Sequence, residues 1–130
     1  MEQELRALLL GTAAIAAQVE RRVDWGGRPQ GAPMPAIALH LIDSGEGVTN
    51  SGPDGLLQGR VQVDCWAESF AEAAALRDLV QARLNGYRGG GFQGVFPVGS
   101  RMERDGAAGE AGRPFWASMD FLTNWSASNG

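Results

Sequence analysis

The sequence is poor in several residues on which common functional sites depend. All eleven basic residues are arginine, and there is a single cysteine, Cys65, and a single histidine, His40. One cysteine cannot form a disulfide within the chain, and with one histidine it makes too small a set for a recognisable zinc site. No apolar run approaches the roughly 18 residues of a membrane span. We therefore expect no metal, no cofactor and no membrane association.

Charge and length restrict the class of protein further. The 130 residues carry a net charge of −4, with 44% hydrophobic and 20% charged residues. These values are typical of one globular domain, here residues 1–130, and the acidic balance argues against a surface that wraps nucleic acid. The stretch "MEQELRALLL" has two acids where a secretion signal has basic residues, so we expect a cytoplasmic chain.

The first third of the chain predicts helices followed by an irregular segment. Apolar residues recur at helical spacing through residues 2–19, and Gly11-Thr12 predicts a break at which Thr12 caps a second helix. Residues 20–35, "ERRVDWGGRPQGAPMP", are rich in glycine and proline and predict an irregular crossing segment.

Two strands and a loop are predicted next. Residues 36–43 alternate in the manner of a strand whose two faces are both partly covered. Residues 44–55, "SGEGVTNSGPDG", are too polar and too rich in glycine to pack, and predict a flexible loop. In the strand predicted at 56–67, apolar side chains face one way, and the other face carries Gln58, Arg60, Gln62, Asp64 and Trp66.

A helix follows this strand at a capping box. Ser69 and Glu72 have the spacing of this motif, in which the Ser69 side chain accepts a hydrogen bond from the Glu72 amide and the Glu72 side chain reaches back toward Ser69. Asn85-Gly86 predicts the end of the helix. The face predicted to be buried comprises Ala73, Leu76, Val80 and Leu84.

The last part of the chain predicts two more strands, over 92–104 and 113–125, joined by a second flexible loop at 105–112. Alternation in the first strand places Phe92, Gly94, Phe96 and Val98 on one face. The order α–β–β–α–β–β indicates an α+β domain with a four-stranded, mostly antiparallel sheet and its helices packed on one face.

No residue set has the pattern of a catalytic site. His40 has no carboxylate or cysteine near it in sequence, and Cys65 is predicted to face the core, away from Asp64. The glycines of "GYRGGGFQG" follow a helix and precede a strand, the reverse of a phosphate-binding loop. We therefore predict no catalytic, cofactor-binding or metal-binding residue, and a chain that is not an enzyme.

The second face of the predicted sheet is the candidate interface. Arg60, Gln62, Asp64 and Trp66 lie opposite Trp116, Ser118 and Asp120, and tryptophan and arginine are enriched where proteins contact partners. A face that simply meets water is the alternative. Trp25 is either a loop anchor or a contact residue. The complete predicted interface set is Trp25, Arg28, Glu46, Asn50, Asp54, Arg60, Gln62, Asp64, Trp66 and Trp116.

Two longer stretches carry a resemblance to a known family. The sequences "RVDWGGRPQGAPMPAIALH" and "RVQVDCWAESFAEAAALRDLVQARL" resemble the tail completion, or tail terminator, proteins of long-tailed phages and gene transfer agents. The resemblance covers residues 2 to about 125 and leaves the loops 44–55 and 105–112 outside its conserved pattern.

The resemblance implies a structural virion protein with a defined place. Such a protein forms a homo-oligomeric ring, most often a hexamer, on the head-proximal end of the tail tube. Its partners are the tail tube protein and the neck or head-completion protein, while DNA passes through the lumen without specific binding. It is assembled in the host cytoplasm and requires no cofactor and no membrane.

Two other functions remain open. One is another ring-forming neck component, either a head-completion adaptor or a stopper, which prefers capsid or portal to the tail tube. The other is a small ligand-binding or hydrolytic domain in which His40 and Asp64 converge in one concave pocket.

Overall fold

The first elements are two short helices that meet at the predicted break. The computed structural model describes residues 2–27, 33–42, 49–50, 56–104 and 114–126, and these helices are α1 (Glu2–Leu10) and α2 (Ala13–Val19). Thr12 stands at the N-cap of α2 in extended conformation, but its hydroxyl makes no capping bond. Thr12 Oγ1 instead donates to the carbonyl oxygen of Leu8, 3.0 Å away, so the predicted cap is wrong while the break is confirmed.

A strand that the sequence analysis missed follows α2. Strand β1 (Val23–Trp25) runs parallel to β2 (Ala36–Leu41), with Val23 opposite Ile37. The prediction of an irregular segment over 20–35 is wrong at these three residues. A strand this short shows no alternation of its own, and its extended backbone depends on the hydrogen bonds that β2 provides.

The long central strand agrees with prediction. Strand β3 (Thr49–Asn50) pairs with the first part of β4 (Leu56–Ala67), and β4 has the predicted bounds. The predicted loop 44–55 otherwise lies outside the described residues, as does the predicted loop 105–112.

Helix α3 (Phe70–Leu84) begins at the predicted capping box. The Glu72 amide donates to Ser69 Oγ at 3.2 Å, as predicted. The Glu72 carboxylate accepts from the Ser69 hydroxyl at 3.1 Å, not from the backbone amide that the predicted box requires. Gly86 has a φ of 72°, a left-handed value that glycine adopts without strain at a helix end. The buried face is the predicted one.

The last two strands form a hairpin in which one strand is bulged. Strand β5 (Phe92–Arg104) pairs with β6 (Phe115–Ser126), and its register shifts between Phe92 and Gly94 and again between Pro97 and Gly99. Each extra residue exchanges the faces of those that follow it. The prediction of one shared face is therefore wrong: Phe92 is 4% exposed, whereas Phe96 and Val98 are 44% and 46% exposed.

The sheet is wider than predicted. Five strands lie side by side in the order β1-β2-β4-β6-β5, and β3 pairs with β4 beyond the end of β2. The prediction of four strands is wrong because it lacked β1 and β3. The α+β class is confirmed, and among the described strands every pairing is antiparallel except that of β1 with β2.

One core joins all three helices to one face of the sheet, which we call the inner face. Val61, Val63 and Cys65 of β4 are fully buried in it, beside Met119 and Phe121 of β6. The helices cover these side chains with Leu5, Leu9, Ile15, Val19, Leu76, Val80 and Leu84. None of the described helices is long and apolar enough to cross a membrane. The opposite face carries no helix among the described residues, and we call it the outer face.

Candidate functional site

Cross-strand register builds the outer face from β2, β4 and β6. His40 lies opposite Gln62, Asp64 lies opposite Ser118, and Trp66 lies opposite Trp116. Alternation along β4 sends the neighbouring residues to the core, so these side chains share the other face. The structure thus brings together four predicted interface residues, which are Gln62, Asp64, Trp66 and Trp116.

Two indoles form the aromatic part of this face. The rings of Trp66 and Trp116 are stacked, with centroids 4.9 Å apart and planes inclined by 15°. A cross-strand aromatic pair contributes about 0.5–1.5 kcal/mol beyond the area it buries. The pair therefore presents a flat and rigid aromatic surface.

A buried carboxylate lies beside the indoles. Asp64 is only 2% exposed, and the side-chain amide of Gln62 donates to both of its oxygens, at 3.0 and 3.2 Å. His40 Nε2 lies 3.3 Å from Asp64 Oδ2. The sequence analysis placed Asp64 on this face and gave its convergence with His40 only as an alternative, because the pairing of β2 with β4 cannot be read from a sequence whose intervening loop is long.

A second ion pair occupies the same face. Arg60 Nη2 lies 3.1 Å from Asp120 Oδ2. The other oxygen, Asp120 Oδ1, is buried and has no hydrogen-bond partner among the described residues, and the same holds for Ser118 Oγ. The side chain of the predicted interface residue Arg60 is thus bonded to β6. Near it lie Asp120 Oδ1 and Ser118 Oγ, which accept no hydrogen bond from the described residues.

These side chains surround a concavity of about 470 Å³, which we call the outer pocket. Its lining residues are Gly27, Ala38, His40, Ile42, Gln62, Asp64, Trp66 and Trp116. His40 and Asp64 therefore share one concave site, the geometry that the ligand-binding alternative requires. None of the described residues that line it carries a hydroxyl or a thiol, so these side chains offer a base and an acceptor but no nucleophile.

The other predicted interface residues lie elsewhere. Trp25 is in β1, packs against the core, and its indole donates to the carbonyl oxygen of Glu2 at 3.0 Å, which is the position of an anchor. Asn50 is in β3, and its backbone pairs with that of Leu57 in β4. Three more, Arg28, Glu46 and Asp54, lie outside the described residues.

The single cysteine is part of the core. Cys65 is fully buried, and burial raises the pKa of its thiol, to which the charge of neighbouring Asp64 adds. A thiol that stays protonated is neither a nucleophile nor a metal ligand. Within the described part of the chain, no three metal-ligating side chains cluster.

An exposed apolar patch lies at the β5 edge of the sheet. Its members are Phe96 and Val98, and Leu122 of β6 lies opposite Phe96. The sequence analysis missed this patch because only the bulge after Phe92 turns Phe96 outward. Pro97 and the two bulges lie in the same edge strand, and such features discourage further strand pairing.

Comparisons with known proteins identify one family, and separately a solved structure with a similar fold. The family model described as Tail completion protein gp17 matches residues 3–123. Among solved structures, the chain is similar to one described as "Virion of native gene transfer agent (GTA) particle", with a TM-score of 0.60 over 93% of this chain and 90% of that chain. Sequence identity to it is 22%, so this likeness shows the fold alone. Comparison with curated proteins finds no match.

Proposed function

Because the chain belongs to the tail completion protein gp17 family, which makes it a structural protein of the phage tail or head–tail region, we propose that it is the tail terminator. In this role it forms a ring on the head-proximal end of the tail tube, stops tube polymerisation and presents the surface on which the neck docks. The observation that carries the proposal is the family match over residues 3–123, nearly the whole chain. We assign no catalytic step to it.

A closed ring requires two different surfaces on each subunit, because a head-to-tail interface joins unlike patches. The stacked pair of Trp66 and Trp116 and the patch of Phe96 and Val98 at the β5 edge are two such surfaces in different places on the sheet. Both combine apolar area with nearby charge, which is the composition of protein interfaces. We propose six copies per ring.

The charge of the chain suits a channel for DNA. With a net charge of −4, a ring of such subunits repels phosphate overall, so that DNA passes without adsorbing to its wall. We propose that the ring is assembled in the host cytoplasm and remains in the virion at the head-proximal end of the tail. Its partners are then a second copy of itself, the tube protein and a neck protein.

Purified components test the terminator role directly. Tail tube protein that polymerises in vitro is mixed with increasing amounts of this chain, and tube lengths are measured by negative-stain imaging. We expect tubes that stop growing once an end carries the chain, with a ring-shaped density at one end only. Unchanged length distributions at saturating amounts of the chain would contradict the role.

Another head–tail connector ring is the alternative within the same structural class. An adaptor or stopper also fits the family match, and the same mixture distinguishes it, because it binds portal or capsid and leaves tube growth unchanged.

A third function, ligand binding or hydrolysis at His40 and Asp64, is favoured only by their shared pocket. Loss of ligand binding or turnover in a folded His40→Ala chain would support this third function, and tolerance of the change would contradict it.

A further inference from the structure

We propose that the outer pocket receives an arginine side chain from the neighbouring copy of this chain. That the arginine comes from a neighbouring copy rests on the ring of the proposed function. That the pocket binds a guanidinium group does not depend on the ring. The preference for arginine follows from three properties of the site: a buried carboxylate, a flat aromatic wall and unshared oxygen lone pairs beside them.

The carboxylate of Asp64 favours a permanent cation. It is 2% exposed, and among the described residues the contacts that hold it come from the neutral amide of Gln62 and from His40. Neither supplies the fixed positive charge with which buried carboxylates are usually paired. A guanidinium in the pocket supplies that charge together with N–H donors.

The aromatic wall distinguishes a guanidinium from an ammonium group. The Trp66 and Trp116 rings stack nearly parallel, and both line the pocket beside Asp64. A planar guanidinium stacks on an indole while its edge donates to a carboxylate, whereas an ammonium group is compact and strongly hydrated. The site therefore matches arginine better than lysine.

The surroundings add negative potential to the site. Arg60 is already bonded to Asp120 Oδ2 at 3.1 Å, so its charge is directed toward β6. Asp120 Oδ1 and Ser118 Oγ are buried without a hydrogen-bond partner in the described ranges. Their lone pairs strengthen the attraction for a cation next to them, because the local dielectric constant is low.

A second copy of the chain offers a suitable arginine. Every basic residue of the chain is an arginine, so any cation that a copy inserts is a guanidinium. The pocket is built on β2, β4 and β6, while Arg88 is exposed just before β5, the strand at one edge of the sheet. A head-to-tail ring joins different surfaces of adjacent copies, and we assign Arg88 as the inserted residue.

The chemistry of the pocket is tested on the free chain. N-acetyl-arginine amide is titrated at about pH 8, and the indole N–H signals of Trp66 and Trp116 are followed by NMR. We expect saturable shifts of these two signals, with binding weakened roughly tenfold by replacing the ligand with its lysine or neutral citrulline analogue or by Asp64→Asn. The matched control Glu103→Gln removes one negative charge from the same face, outside the pocket, and should leave binding unchanged.

Three results would contradict the proposal that the outer pocket binds arginine. They are the absence of saturable shifts, equal binding of the citrulline analogue, and equal weakening by Asp64→Asn and Glu103→Gln. The Asp64→Asn substitution keeps the shape of the side chain. The backbone amide signals of the rest of the chain show whether this variant is folded. Trp116→Leu provides a second variant, in which arginine binding is also expected to weaken.

The identity of the inserted residue is tested on the ring. Arg88→Gln is expected to lower the fraction of ring measured by mass photometry about as much as Asp64→Asn does, and the double variant no further. The control is Arg77→Gln, whose arginine pairs with Asp78 within its own helix. If the pocket binds arginine amide but Arg88→Gln leaves the fraction of ring unchanged, Arg88 is not the residue that enters the pocket. A wild-type chain that forms no ring would contradict the proposed function and leave the titration of the pocket interpretable.

Discussion

His40 Nε2 lies 3.3 Å from Asp64 Oδ2, and this contact joins two strands that the longest predicted loop separates. His40 is opposite Gln62 in the β2–β4 pairing, which places Asp64 diagonally across from it on the outer face. The pair sets the polar end of the outer pocket, with the stacked indoles at the other end. The first prediction concerns what this contact contributes to stability.

Replacing His40 by alanine removes one of the partners of a buried carboxylate. We expect His40→Ala to lower the free energy of unfolding by about 1–2 kcal/mol, because the Asp64 carboxylate loses a polar contact that it cannot regain. Urea unfolding followed by tryptophan fluorescence measures the change. His40→Gln, whose terminal amide can reach the same oxygen, should recover most of the loss. Equal losses in both variants would mean that the contact itself contributes nothing.

Gly91 leaves no space for a side chain. A Cβ there would overlap the indole of Trp125, and this ring is rigid and packed against the core. We expect Gly91→Ala to destabilise the fold by about 1–3 kcal/mol through overpacking. Gly99→Ala is the matched control, since a Cβ there meets nothing within 4 Å. Thermal unfolding of the two variants, recorded side by side, should separate them, and similar midpoints would argue against this packing.

The capping box of α3 should make a measurable contribution. Ser69→Ala leaves the Glu72 amide, now bonded at 3.2 Å, without its acceptor, and we expect a loss of about 1 kcal/mol. Ser69→Asp retains an acceptor at the same position and should be nearly neutral. Chemical denaturation checks both changes, and a neutral Ser69→Ala would show that water replaces the hydroxyl at no cost.

Cys65 should be unreactive while the chain is folded. Burial raises the pKa of its thiol, and the charge of Asp64 acts in the same direction, so at about pH 8 the thiol stays protonated. Because the thiolate is the reactive form, we expect labelling by a disulfide reagent to be slower by roughly a hundredfold than in urea-unfolded chain. The absorbance of the released thiol measures both rates. Rapid stoichiometric labelling of the folded chain would place Cys65 outside the core.

The elements with strong local signals could be predicted from the sequence. Strand β4 and helix α3 have the predicted bounds or nearly so, because alternation over twelve residues and a capping box are both local patterns. Strand β1 could not be predicted, because three residues show no period. The exposure of Phe96 was also missed, because a bulge is decided by the pairing of β5 with β6.

The candidate site was predictable only in part. Alternation along β4 correctly grouped Gln62, Asp64 and Trp66 on one face, and the same logic placed Trp116 on β6. Which side chains meet across strands depends on register, and register is decided by packing and by loops that carry no readable signal. From the sequence, the convergence of His40 and Asp64 in one pocket was therefore only an alternative, and the structure brings the two together.

The terminator role is tested most directly by deleting the gene for this chain from the replicon that encodes it and imaging the particles by negative stain. We expect tails of uncontrolled length beside DNA-filled heads that lack tails, because nothing stops the tube or readies it for the neck. Expression of the wild-type chain in trans should restore both defects. Tails of normal length beside empty or leaking heads would contradict the terminator role and point to a neck adaptor or stopper.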